Sequence, residues 1–346
     1  MRPPGPGAAL TAAAAAEARP TRPFPYATPE ALRAALADRA KAAAPAGSRH
    51  GIDELYRRFA YDRLLARLYL LDPGRWALKG AVGLLARLPD MRHTLDLDIA
   101  TATSDGDGAG LRQAAQALER AAGHDLGDHV RFTISPWRLG GTVSGRPLAQ
   151  STATCWIGLR RLVAFPVDLV GGDLPPLALE AAAPLRPFDL PGLPAPHQVL
   201  VYPLAAQVAE KVCGILSRYG GMPSTRYRDL ADLAAIAQAA ELAASDLHLA
   251  LHHELRRQGL PPPAELTVPD PASWSRGYTQ LAHRLPRLRD LPFADALALV
   301  KRLIDPVLAG RRHGRWRPAE GRWEPLTIAA APWLCGCDGG YRQRQN

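Results

Sequence analysis

Trp76–Ala100, WALKGAVGLLARLPDMRHTLDLDIA, is the stretch whose reading decides the fold. It opens with a short apolar run, Trp76-Ala77-Leu78-Lys79, turns at Gly80, continues as the helical pattern Ala81–Leu88 and ends in a second run built on Asp96-Leu97-Asp98. Side chains alternate along a strand, so Asp96 and Asp98 are expected on one face, with Leu97 and Ile99 turned to the core. Two carboxylates held side by side repel each other and resist dehydration. Magnesium resolves both problems, because it accepts one or two protein carboxylates together with substrate phosphates and waters. A bare Asp-x-Asp is also what a solvated strand face looks like. The strand, glycine turn and helix that precede it here are what set it apart, since they bring the backbone within reach of a triphosphate.

Outward from that stretch, the chain has 346 residues, enough for one large or two modest domains with an ample core. Its 47% hydrophobic content is globular, although alanine supplies much of it, so the core has to come from Leu, Val and Ile. A net charge of +9 fits a partner that carries phosphates. No run is apolar and long enough to span a membrane, and residues 1–25, rich in Ala, Pro and Gly, make a poor signal peptide and read as a disordered tail. Four cysteines (Cys155, Cys213, Cys335, Cys337) give no disulfide framework, and Cys335-Gly-Cys337 lacks the further ligands of a zinc site. A cytoplasmic protein is expected.

Helices are expected at Thr28–Lys41, with Thr28 as N-cap and Pro29 at the first position, and at Ile52–Leu71, whose Leu55, Phe59, Leu64, Leu65 and Leu68 make an apolar face. After the Asp-x-Asp run come a loop at Ser104–Gly110, a helix at Leu111–Ala122, a strand at Val130–Ser135 and a glycine-rich turn at Gly140–Arg146. Ser151–Leu162 and Ala164–Val170 read as strands. In the second, Asp168 stands between Val167 and Leu169, as either a strand-end cap or a ligand. Proline-rich Gly171–Pro203 reads as a linker with little regular structure. The helix expected over Leu204–Arg218 places Lys211 and Arg218 together, on a solvated face or against phosphates. Ser224 or Thr225 is expected to cap a helix whose Asp229 and Asp232 share a face. Further helices are expected at Leu247–Gln258, Tyr278–Leu285 and Phe293–Leu308. Trp316 and Trp323 in the basic segment Arg311–Trp323 either pack on the helices or stack on RNA.

Leu78-Lys79-Gly80, Arg92-x-Thr94-x-Asp96-x-Asp98, Ala209-Glu210-Lys211 and the segment from Arg226 through Asp229 together resemble the AbiEii/AbiGii family of nucleotidyltransferase toxins. The family usually has a second glycine where this chain has Ala81, and a methyl group there narrows backbone approach to a phosphate. The resemblance implies an α+β architecture: an N-terminal lobe of nucleotidyltransferase (polymerase-beta-like) fold with a mixed sheet, and a helical C-terminal lobe. The boundaries expected are a core at 26–175, a linker at 176–202, a helical lobe at 203–325 and a disordered tail at 326–346.

For the site, the resemblance implies that Asp96, Asp98 and Asp168 hold two magnesium ions, with manganese a substitute. Lys79, Gly80, Ala81, Arg92, Thr94, Lys211 and Arg218 bind the NTP, and Lys211 and Asp229 join the three acids as catalytic residues. The implied reaction moves a nucleoside monophosphate from an NTP to an acceptor, tRNA first, with pyrophosphate released and an antitoxin from a neighbouring gene as restraint. The alternatives are a protein side chain as acceptor and a noncatalytic nucleic-acid-binding module. A dinucleotide-dependent oxidoreductase is disfavoured, because Gly80-x-x-Gly83 lacks the remaining glycine of that fingerprint.

Overall fold

The computed structural model describes residues 24–325 apart from 45–48, 89–90, 93, 104–107 and 144. Of the tail expected at 1–25, residues 1–23 lie outside the described residues, while Phe24 packs against Tyr26 and His129; the tail expected at 326–346, with the Cys335/Cys337 pair, lies outside them altogether. Helix α1 (Pro29–Ala43) starts as its sequence dictates: the Thr28 side chain accepts a hydrogen bond from the Ala31 N–H, and Pro29 occupies the first turn, where its missing donor costs nothing. Helix α2 (Arg49–Leu71) buries Phe59, Leu64, Leu65 and Leu68, with Leu55 half-buried. It also buries two arginines that no apolar pattern announces. Arg67 donates to Asp128 at 2.8 Å and Arg63 to Asp62 at 2.6 Å, so each interior charge has a partner.

Strand β1 (Ala77–Leu78) leads through Gly80 into the short helix α3 (Gly80–Leu85), and β2 (Leu97–Ala100) returns antiparallel to β1. After α4 (Ala109–Ala122) come β3 (Val130–Ile134), β4 (Arg138–Val143), β5 (Arg146–Ile157) and β6 (Arg160–Val170). The stretch expected as a glycine-rich turn is thus mostly strand, with a register shift between Leu139 and Gly141 that absorbs Gly140 at φ +105°. Strands β7 (Glu180–Ala182) and β8 (Val199–Val201) complete a sheet of eight strands. Its path is β3-β5-β6-β2-β1-β8-β7, with β4 on β5. The β2–β6 and β1–β8 pairs are parallel and the others antiparallel, so the sheet is mixed.

The proline-rich segment is therefore more than a tether. It threads one strand beside β1 and another at the sheet edge, then feeds α5 (Leu204–Leu216) directly from β8. A two-strand hairpin, β9 (Arg218–Tyr219) and β10 (Met222–Pro223), separates α5 from α6 (Tyr227–Ala239). Strand β11 (Leu242–Ala243), α7 (Ala244–Arg257), α8 (Pro271–Ala282), α9 (Phe293–Leu308), β12 (Arg315–Arg317) and β13 (Arg322–Glu324) follow. The architecture is mixed α+β, with a central mixed sheet followed by helices. One cluster of buried apolar side chains runs from Leu32 through the sheet to Trp316. Trp316 is fully buried and its indole N–H donates to the Ala237 carbonyl at 2.7 Å, so it packs and has no face to offer a base.

Candidate active site

The site is built where β1, β2 and β6 present one face to α5 and α6. Asp98 on β2 pairs in parallel register with Asp168 on β6, so the two carboxylates are neighbours on one face. Leu97 and Ile99 are buried on the other face, as alternation requires. Asp96 stands one residue before the strand and accepts a short hydrogen bond from the Thr94 hydroxyl. Thr94 is itself fixed by the Tyr61 hydroxyl, which donates to its carbonyl at 3.3 Å. Gln150, the register partner of Asp168 on β5, donates its amide to that carboxylate at 3.0 Å.

These acids feel one another. Burial, then the charge of Asp96, and further those of Asp168 and Glu210, push the Asp98 carboxyl up to about 7, against the pull of Lys79. Burial also raises Asp168, opposed by the Gln150 hydrogen bond and reinforced by Asp96. Among the described residues no group of three or more His, Cys, Asp or Glu side chains is already drawn into a metal cage. The donor set nevertheless suits a hard divalent cation. It consists of carboxylate oxygens, it carries uncompensated negative charge, and magnesium needs only one or two protein ligands beside water and phosphate.

Gly80 allows the acids and the β1–α3 turn to lie this close. Its φ of +60° is a left-handed conformation, and a Cβ on it would overlap the Asp98 carboxylate. Ala81, the departure from the family pattern, is buried in α3. The cleft beside this turn is lined by Lys79, Gly80, Asp98, Asp168, Val170, Gln207, Glu210, Lys211 and Arg226. Lys79 pairs with Glu210 at 2.7 Å and lies 5.1 Å from the centre of the Tyr202 ring.

Lys211 reaches the cleft wall from α5, yet its ammonium already has partners: Asp232 at 2.5 Å and Asp229 at 3.3 Å. Burial disfavours that charge, but the two carboxylates outweigh it and hold the lysine above its ordinary pKa. Arg92, expected at the nucleotide, grips Asp232 from the sheet side through two hydrogen bonds of 2.8 and 3.0 Å. Asp232, between two cations, is held below the usual carboxylate range despite its burial.

Arg218 is not brought to the cleft. Helix α5 stops at Leu216 with Ser217 as its cap, so Arg218 falls in β9, where its guanidinium donates back to the Gly221 carbonyl at 2.7 and 3.0 Å. Arg226 lies at the cleft rim, where its side chain remains 44% exposed while it pairs with Asp229 at 2.5 Å. Arg226 is the N-cap of α6. Ser224 sits two residues earlier, accepting from the Arg226 N–H at 3.2 Å and donating to the Gly214 carbonyl at 2.8 Å. Glycine at 214 lets Asp229 and Arg226 lie close against α5, since a Cβ there would stand 2.9 Å from the Asp229 carboxylate. Sequence reading missed Arg226, Glu210 and Gln207 as cleft groups, and Gln150 as the partner of Asp168. The first two lie inside segments already singled out for their motifs, and only their pairing across the fold was hidden.

The arrangement is three acids on a sheet face opposed by cations on two helices, which is what a phosphoryl group and a divalent cation require together. A model of the AbiEii family, described as the nucleotidyl transferase AbiEii toxin of a type IV toxin–antitoxin system, matches residues 63–299. No curated protein sequence matches the chain. Among solved structures the chain is similar to MenT4, a nucleotidyltransferase toxin from Mycobacterium tuberculosis H37Rv, at 20% identity and a TM-score of 0.47, over 80% of this chain and 98% of that one. It is also similar to JHP933 from Helicobacter pylori, at 14% identity and a TM-score of 0.41, over 74% of this chain and 93% of that one.

Proposed function

Because this chain belongs to the AbiEii family of nucleotidyltransferase toxins of type IV toxin–antitoxin systems, we propose that its cleft transfers a nucleoside monophosphate from an NTP to a hydroxyl of RNA, tRNA first. The observation that carries this reading is the in-register pair Asp98 and Asp168 beside Asp96, in one cleft with Lys79, Lys211 and Arg226. The new bond joins the acceptor oxygen to the α-phosphorus, the bond to pyrophosphate breaks, and the acceptor proton is released. Asp96, Asp98 and Asp168 would hold magnesium, or manganese in its place, as two ions, which would supply Lewis-acid activation of the acceptor oxygen and charge neutralisation on the leaving pyrophosphate.

The protein's own groups do the rest. Thr94 and Gln150 fix the directions of Asp96 and Asp168, so the acids need not reorganise when substrate arrives. Asp168, oriented by the Gln150 amide, accepts the proton of the acceptor hydroxyl. Lys79 and Arg226 face the triphosphate as charges, Arg226 while it also pairs with Asp229. Lys211 and Asp229 set the position of Arg226 and of the cleft wall. The net charge of +9 suits a polyanionic acceptor, and the family implies a restraining antitoxin, which we place in a neighbouring gene of the same cytoplasm.

The test is transfer of labelled NTP to total RNA. Asp96→Asn with Asp98→Asn is expected to bring transfer below detection with the melting temperature retained, because amides replace the charges that hold the cation. Undiminished transfer by the double variant removes these acids from the chemistry. Label on protein in place of RNA redirects the acceptor to a side chain.

A further inference from the structure

Beside the cleft, the β9–β10 hairpin holds two apolar side chains in water. Tyr219 is 47% and Met222 68% exposed, whereas every other Phe, Tyr or Trp side chain among the described residues is buried or half-buried. They are directly opposed across the hairpin, so both point from the same face and make one small platform of ring and thioether. Gly220 and Gly221, both at positive φ, form the tight turn that sets this register. Arg218 locks the turn from its own strand through the Gly221 carbonyl.

The platform is tied to the cleft by one guanidinium. Arg226 donates to the Tyr219 hydroxyl at 3.2 Å with one nitrogen and meets Asp229 at 2.5 Å with another. The Tyr219 hydroxyl in turn donates to the Gly214 carbonyl at 3.4 Å, on the helix that carries Lys211. A rigid hairpin, an aromatic face left open to water and a cation that lines the phosphate side thus stand in sequence.

We propose that Tyr219, with Met222 beside it, is the stacking surface for the nucleobase of the NTP bound in the cleft. The inference rests on the cleft taking a triphosphate, as proposed above. A base is joined to its phosphates by a single ribose, so its platform has to lie about one side chain away from the phosphate cations, and Tyr219, outside the cleft lining, is joined to Arg226 by a hydrogen bond of 3.2 Å. Stacking uses the π-face that every base has, so it supplies affinity for any base and little discrimination among them. Arg226 serves both ends, holding the Tyr219 ring from its edge while it faces the phosphates.

Equilibrium binding to the full chain in magnesium tests this, with ATP, CTP, GTP and UTP compared with inorganic tripolyphosphate, which has no base. The wild-type chain should bind NTPs more tightly than tripolyphosphate. Tyr219→Ala with Met222→Ala should weaken NTP binding about fivefold or more, to the level of tripolyphosphate, and leave the tripolyphosphate affinity unchanged. Tyr219→Phe, which keeps the ring and loses the hydroxyl, should retain the NTP advantage. An NTP advantage that survives the double variant overturns the platform, as does a wild-type chain with no such advantage. Equal loss of tripolyphosphate affinity in the double variant and in Tyr219→Phe overturns it in favour of a prop for Arg226. Unchanged NTP binding with lowered transfer to RNA overturns it in favour of the acceptor's base. Failure to bind either ligand overturns the cleft reading itself, and the platform with it.

Discussion

Asp232 lies where cations from two parts of the chain converge, Lys211 from α5 and Arg92 from the segment before the Asp-x-Asp strand. The Lys211 contact is buried and the Arg92 contact partly so, and Asp232 itself is sealed from water. Removing the carboxylate charge takes from Arg92 the acceptor of both its hydrogen bonds and leaves Lys211 with Asp229 alone, a change that costs about 3–5 kcal/mol in comparable sites. The pH dependence follows from the shifts. Asp232 is held below its ordinary value, so its contribution is complete above the unfolded carboxylate range near 3.8 and is lost as pH falls through the folded value. Lys211 is held above 10.5, so its share is complete below that value and is lost as pH rises past it. Denaturant unfolding of Asp232→Asn should therefore show a deficit of about 3–5 kcal/mol at neutral pH that narrows below about pH 4. A deficit that is constant down to strong acid would mean that the contribution is not ionic. None of this pairing was legible in the sequence. Asp232 stood three residues from Asp229 as a helix neighbour, while its arginine partner lies 140 positions away.

At the scale of elements, the β1–Gly80–α3 turn was legible because three signals coincide there: an apolar run, a glycine, and a helical period. The four-residue β2 was legible through alternation about Leu97 and Ile99. Strands β7 and β8, of three residues each, were not, because so short a run shows no period and the prolines around them signal loop. The end of α5 was misplaced for a related reason. Apolar spacing continues to Leu216, and nothing local says that Arg218 pairs in a hairpin. The turn itself carries a sharp expectation. Gly80→Ala places a methyl group in a left-handed conformation, at about 1–2 kcal/mol, and drives it into the Asp98 carboxylate. Melting should fall by roughly a few degrees while label transfer to RNA is lost. A variant that melts lower yet transfers at the wild-type rate would show that the position of Asp98 tolerates displacement, contrary to the role given to the acids.

At the scale of the whole molecule, sheet and helices share one buried cluster, and the cleft is formed across it. The acids come from the sheet, Lys211 and Arg226 from the helices, so the cleft is only as rigid as the contact between them. That contact is apolar through Tyr202 and the α5 face, and ionic through Arg92 and Asp232. The last hairpin closes the assembly: Trp316 buries its ring against Trp323, with centroids 5.7 Å apart, and holds α6 through Ala237. If the helices were a separate lobe on a tether, heating would melt the two parts independently. A shared core predicts a single calorimetric transition whose van't Hoff and calorimetric enthalpies agree. Trp316→Ala, by opening a cavity at the far end of that core, should lower stability by about 3–5 kcal/mol. The loss should appear in amide protection on β2 and β6 as well as on α6, because opening one part exposes the other. Two resolved transitions, or a Trp316→Ala effect confined to the helices, would break the argument and leave the cleft to be assembled by a hinge between independent parts.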